Sequence, residues 1–255
     1  MSGLLLRLAG PLQSWGERST FDVRDTAGFP TRSGLLGLLA CVMGRRRGES
    51  LEDLAALTFT IRVDRPGTRI IDYQTAGGAL PPSMKVPTAD GKGRPAGKGT
   101  VQTWREYLAD AVFVVAVQGP SEVLDQVRHA LRYPHWQPYL GRRSCPPDQP
   151  LLLDVPVEDP VAELCTRVPL ARRVGKDEET VPVDFIFPVE RRDGVRSEIH
   201  DVPVAFTSVD RAYSPRPVWR STLTLPAELG VSTLREYPEQ LRKYLNGKGV
   251  ACHSG

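Results

Sequence analysis

Apolar and polar positions alternate along this chain in two rhythms. Gly3–Ala9 is almost wholly apolar around a single Arg7 and predicts a buried strand. A loop over Gly10–Pro30, with Pro11, Gly16, Gly28 and Pro30, leads to the apolar run Leu35–Met43. That run predicts a helix buried on most faces, capped by Thr31 or Ser33 and stopped by Gly44. Leu51, Leu54 and Leu57 add a further helical turn or two. Phe59–Val63 alternates apolar with polar side chains and predicts a strand. Arg65-Pro66-Gly67-Thr68 would turn it back into Arg69–Tyr73 as a hairpin, with Asp64 and Asp72 as exposed charges beside the turn. A strand follows at Leu108–Gln118, then an amphipathic helix at Ser121–Arg132 with Val123, Leu124, Val127 and Leu131 on one face. Leu151–Val155 predicts a further strand.

This order predicts an α+β fold. Residues 1–155 read as a ferredoxin-like β-α-β-β-α-β domain. The segment Gln74–Thr103, rich in glycine and holding Pro81, Pro82, Pro87 and Pro95, breaks the rhythm and predicts a long thumb inserted at about 74–103. Residues 156–225 carry short β-like pieces (Val181–Val189, Val202–Phe206, Val218–Leu225) and predict a smaller β-rich domain. Residues 226–255 read as a tail, with a helix over Thr233–Leu245 and a frayed end beyond it.

Composition narrows the classes of function. The 255 residues hold 33 basic and 30 acidic side chains, a formal charge of +3, which excludes a strongly basic tail and an acidic disordered solubiliser. Cys41, Cys145, Cys165 and Cys252 are scattered, with no ligand spacing to histidine, so neither a disulfide framework, a metal site nor a cofactor is expected. The leucines after the first Met lack a basic flank, and the longest apolar runs fall well short of a bilayer span. A cytoplasmic protein with no membrane contact is the expectation.

Candidate chemistry concentrates in the thumb. Gly91-Lys92-Gly93-Arg94-Pro95-Ala96-Gly97-Lys98-Gly99-Thr100 resembles a phosphate loop only superficially, because neither the Walker nor the dinucleotide spacing fits. A basic arm for a polyanion is the better reading. At its exit, Val101-Gln102-Thr103-Trp104-Arg105-Glu106-Tyr107-Leu108 offers aromatic rings for base stacking and Gln102 and Arg105 for hydrogen bonds; the alternative is that Trp104 and Tyr107 anchor the arm to the sheet. His129, His135, His200 and His253 all lie away from the arm in sequence, and no G-x-S-x-G is present.

Four blocks go further: Leu6–Gly16 (LRLAGPLQSWG), Phe29–Leu39 (FPTRSGLLGLL), Gln102–Leu108 (QTWREYL) and Tyr139–Pro146 (YLGRRSCP). In this order and spacing they resemble the CasD family, the Cascade subunit of subtype I-E CRISPR systems, within the wider fifth family of CRISPR-associated proteins. The resemblance spans about residues 3–153. It implies a non-catalytic RNA-binding backbone subunit that grips the repeat-derived 5′ handle of the crRNA. It also implies capping of the CasC filament, contact with the large subunit CasA, and target DNA met only within the complex. Val112–Val117 lacks the stacking aromatics of RNA-recognition sheets, so loops and thumb are expected to hold the RNA. Carried over by motif, the expected RNA contacts are Gln13, Ser14 and Trp15, then Arg32 and Ser33 at a helix N-terminus open to phosphate. Lys98, Thr100, Gln102, Trp104 and Arg105 at the thumb exit, and Arg142 and Arg143 in the last basic loop, complete the set. The alternative is a metal-independent endoribonuclease acting on precursor crRNA. It needs a histidine as general acid or base beside groups such as Lys98 and Tyr73.

Overall fold

A computed structural model describes residues 3–17, 22–77, 88, 92, 99–206 and 211–247. Its elements are β1 (Gly3–Ala9), β2 (Leu12–Gln13), β3 (Val23–Arg24), α1 (Arg32–Val42), α2 (Glu52–Ala55), β4 (Thr58–Arg65), β5 (Thr68–Ala76) and β6 (Val101–Ala109). They continue with β7 (Val112–Gln118), α3 (Ser121–Arg132), β8 (Leu152–Leu153), α4 (Pro160–Thr166), β9 (Thr180–Phe187), β10 (Val195–Phe206), β11 (Arg211–Pro226) and α5 (Tyr237–Leu245). The fold is mixed α+β and rich in sheet.

One sheet runs in the order β10-β11-β9-β4-β7-β1-β8. Every residue of β1 is buried because both faces of the sheet are covered. Leu4, Leu6 and Leu8 face α1 and α3 with Phe113, Val115 and Val117. Leu5 and Ala9 face the other way, against Val112, Val114, Leu164, Leu170, Leu241 and Tyr244. α1 is a good helix for its place: Thr31 caps it by accepting from the Gly34 N–H at 3.2 Å, and seven of its residues are buried.

The expected boundary near residue 156 does not divide the sheet. β9 hydrogen-bonds to β4 with Ile61 opposite Ile186, so residues from the second half extend the first half's sheet. The tail is likewise packed, with Tyr237, Leu241 and Tyr244 buried. α4, which the sequence pattern does not signal, is capped by Asp159 and buries Leu164.

The expected hairpin of Phe59–Val63 with Arg69–Tyr73 is not formed. β4 pairs with β7, and β5 pairs with β6. The two ladders are one: β4 runs on into β5 across Pro66–Gly67, and β6 into β7 across Asp110–Ala111. Paired residues go from Thr58 opposite Gln118 to Ala76 opposite Val101. The chain bends at this junction, where Gly67 has φ 74° and a Cβ on it would lie 2.7 Å from the Ala109 carbonyl oxygen. Beyond the bend the ladder leaves the core sheet as a ribbon, joined by β2 and β3 along the other edge of β6. Thus Gln74–Ala76 and Val101–Thr103, expected to lie within an irregular arm, are strand.

Asp64 is not an exposed turn charge. It is 1% exposed and ion-paired with Arg62, Nε to Oδ1 at 2.7 Å. Arg62 also donates to the carbonyls of Leu164, Val168 and Pro169, and Asp64 accepts from the Ala171 N–H. The pair therefore satisfies the backbone that leaves α4, where no secondary structure could. Arg62→Ala should lower the free energy of unfolding by about 3–5 kcal/mol, because it strands a buried carboxylate and three carbonyls. Urea titration of the two proteins measures this.

Candidate nucleic-acid interface

The first block of expected RNA contacts is interior. Gln13 and Trp15 are fully buried and Ser14 is 2% exposed. The Gln13 amide donates to the Leu8 and Ala111 carbonyls at 2.9 and 2.8 Å and accepts from the Trp15 indole N–H. Ser14 Oγ donates to the Glu106 carbonyl, and the Ser14 N–H to that of Leu140. These side chains bind the protein to itself, so they are corrected from RNA contacts to structural groups.

The N-terminus of α1 is also occupied. The Asp201 carboxylate, fully buried, accepts from the Arg32 N–H at 2.6 Å and holds Arg216 through both oxygens. An anion already sits where a phosphate was expected. The Arg32 side chain donates to the Leu57 and Ala55 carbonyls. Burial, then the neighbouring Arg216, lowers its pKa, while Asp201 pulls the other way. Ser33 sits half-buried beside Thr31, 3.4 Å between hydroxyls. Arg32 and Ser33, both half-buried, are thus already engaged within the protein.

The remaining residues gather on the ribbon and the loop beneath it. Direct pairing puts Tyr73 opposite Trp104, and β3 adds Val23 beside Trp104 and Arg24 beside Arg105. Successive strand residues point to opposite faces. One face therefore carries Val23, Ile71, Tyr73 and Trp104, all more than a third exposed. The Tyr73 and Trp104 rings lie 5.3 Å apart, tilted by 52°. Trp104 is not a core anchor. Tyr107, on the other face, is buried and is one.

That other face carries charge of both signs, with Asp72 directly opposite Arg105 and the cations in excess. Arg24 and Arg105 are side by side in register, and Arg142 reaches over the Tyr107 ring at 4.7 Å to donate to the Arg24 carbonyl at 2.9 Å. Arg142 Nη1 is buried with no partner among the described residues. Arg143 is exposed next to it. Arg24 was not expected from sequence: it lies in a polar loop, and only the pairing of β3 with β6 reveals its neighbours. Thr100 and Gln102 are exposed near the described base of the arm, whereas Lys98 lies outside the described residues. Gly141 makes the Arg142 loop possible. It has φ 83°, and a Cβ there would fall 1.7 Å from the Ser14 carbonyl oxygen.

Two tryptophans thus take opposite roles. Trp15→Ala should cost about 3–5 kcal/mol of stability, as a large buried ring is lost, while Trp104→Ala should cost less than about 1 kcal/mol. Thermal unfolding of both variants separates them.

Comparison with known proteins agrees with this architecture. Residues 3–219 match the family model described as CRISPR-associated protein (Cas_Cas5). The chain is 38% identical over 192 residues to the CRISPR system Cascade subunit CasD of Escherichia coli (strain K12), covering 69% of this chain and 82% of that one. A solved chain of a CRISPR RNA-guided surveillance complex superposes with a TM-score of 0.86 at 48% identity, over 96% of this chain and 100% of that one. A crystal structure of a Cas protein matches with a TM-score of 0.61 at 32% identity, over 91% and 99%. The buried Gln13–Trp15 loop, capped α1 and kinked ribbon are therefore features of a chain that belongs to the Cas5 family of CRISPR-associated proteins.

Proposed function

We propose that this protein is a non-catalytic RNA-binding subunit of a Cascade-type, crRNA-guided antiviral complex. The ribbon would be its thumb, and the 5′ handle of the crRNA would lie against the ribbon's basic face. The observation that carries this reading is the grouping of Arg24, Arg105 and Arg142, with Arg143 beside them, in a protein whose net charge is only +3. Planar guanidinium groups suit phosphate oxygens, and Arg142 Nη1 lacks an acceptor among the described residues. The exposed rings of Trp104 and Tyr73 lie on the ribbon's opposite face and stand apart from this phosphate contact.

The element sequence β1-α1-β4-β7-α3-β8, with spatial order β8-β1-β7-β4, supports reading the core as ferredoxin-like, with the ribbon extending from its two central-segment strands. Capping of a CasC filament, contact with CasA and a cytoplasmic setting belong to the same proposal, which the likeness to a Cascade subunit supports. Absence of catalysis is supported by the histidines. Among the described residues, His129 and His135 flank the end of α3 and His200 on β10 lies 3.8 Å from Glu17, so none of these three is on the ribbon to move a 2′-hydroxyl proton.

Binding of handle RNA to the full chain, followed by fluorescence anisotropy across a salt series, tests this. Four phosphate contacts predict a slope of log K against log[salt] of about −3, and Arg105→Ala should reduce its magnitude by about 0.7. The RNA should run intact on a denaturing gel after incubation. Salt-independent binding unaffected by Arg24→Ala and Arg105→Ala would remove the basic face from RNA recognition.

A further inference from the structure

The surface beyond Arg143 carries a second set of exposed rings. The segment after α3, Tyr133-Pro134-His135-Trp136-Gln137, is exposed throughout, with Tyr133 at 72% and Trp136 at 41%. Large rings are rarely left in water without a partner. They are fixed in place and not merely loose. The His135 N–H donates to the Val42 carbonyl at 2.8 Å, His135 and Trp136 meet edge to face at 4.9 Å, and Tyr133 lies 5.2 Å from His129.

Cations flank these rings. α1 ends against them, since a Cβ on Gly44 would lie 2.7 Å from the His135 ring, and the next residues are Arg45, Arg46 and Arg47. Arg45 is ion-paired with Asp53. Arg46 and Arg47 are exposed and make no ion pair among the described residues. On the opposite side Cys41 Sγ lies 3.5 Å from the Gln137 carbonyl oxygen. The chain itself joins the two regions: the segment through Trp136 and Gln137 leads into the Arg142–Arg143 loop, where Arg142 joins the basic face of the ribbon and Arg143 is exposed.

We infer that Tyr133 and Trp136, with Arg46, Arg47 and Arg143, form a stacking platform for single-stranded guide RNA, continuing the track that leaves the ribbon. This rests on the guide-RNA reading above. Charge complementarity favours RNA over an apolar protein surface, because three unpaired guanidinium groups would have to be desolvated against a neutral partner. Phosphates would meet those groups while bases lie on the rings, which accept any base.

The test compares the full chain binding two RNAs: the handle alone, and the handle extended at either end by a single-stranded run. Trp136→Ala should weaken the extended RNA roughly fivefold to tenfold and leave the handle unchanged, as expected for one lost stack. Trp136→Phe should restore most of the loss. Arg46→Ala with Arg47→Ala should lower the salt slope for the extended RNA only. Arg105→Ala is the control for the reading beneath: it should weaken both RNAs. If Arg105→Ala weakens both while Trp136→Ala weakens neither, the platform is refuted and the RNA-binding reading stands. If no variant affects either RNA, both fail. Equal loss on both RNAs from Trp136→Ala, or loss of subunit assembly or of target-strand DNA with guide binding intact, would also overturn the assignment.

Discussion

The fully buried Gln13 side chain is the fastening on which the site depends. Its single amide is joined to β1 through the Leu8 carbonyl, to the start of β7 through that of Ala111, and to the Trp15 indole. Those points mark where the core sheet ends and the ribbon sheet begins. A buried amide with both ends satisfied stabilises modestly, but leaving any of its partners unpaired is costly. That asymmetry fixes the junction. The Ser14 hydroxyl bonded to the Glu106 carbonyl, and the Ser14 carbonyl packed against Gly141, carry the same constraint to β6 and to the Arg142 loop.

From that junction a continuous ladder emerges with unlike faces. Pairing puts Val23, Ile71, Tyr73 and Trp104 on one side and Arg24 and Arg105, with Asp72 and Ile70, on the other, because strand side chains alternate. On the apolar side Arg69 is ion-paired with Glu106, so the face is nearly neutral. On the basic side Arg142 is braced against Tyr107 and cannot swing freely, which keeps the positive charge where the ribbon meets the body. A charged site preorganised in this way loses little side-chain freedom on binding.

Asp201 performs a comparable closing function at the N-terminus of α1, close to the Trp15 ring that packs on Gly34. Its carboxylate satisfies the first turn of α1 and neutralises Arg216, tying the β10–β11 hairpin to the helix. Ile199 and Val218 from that hairpin enter the same core as α1. The most obvious anion site in the sequence is therefore consumed by folding, and RNA chemistry is left to the ribbon and its loop.

Much was legible in the sequence. The apolar run of β1, the capped and leucine-rich α1 and the one-sided α3 all follow from local periodicity, which reports burial directly. The four blocks that carry the family resemblance were legible as well, but not what each residue in them does. A glutamine, serine or tryptophan in a glycine-rich loop has the chemistry to bind RNA or to bind backbone, and only burial decides between them. Likewise Asp64 read as a surface charge until Arg62 and three distant carbonyls enclosed it. Arg24 and Asp201 had no local signal, because their partners lie far along the chain. What local pattern determined was where strands and helices form. Long-range pairing, through ladders whose register no single segment encodes, decided which polar groups remain on the surface to meet another molecule.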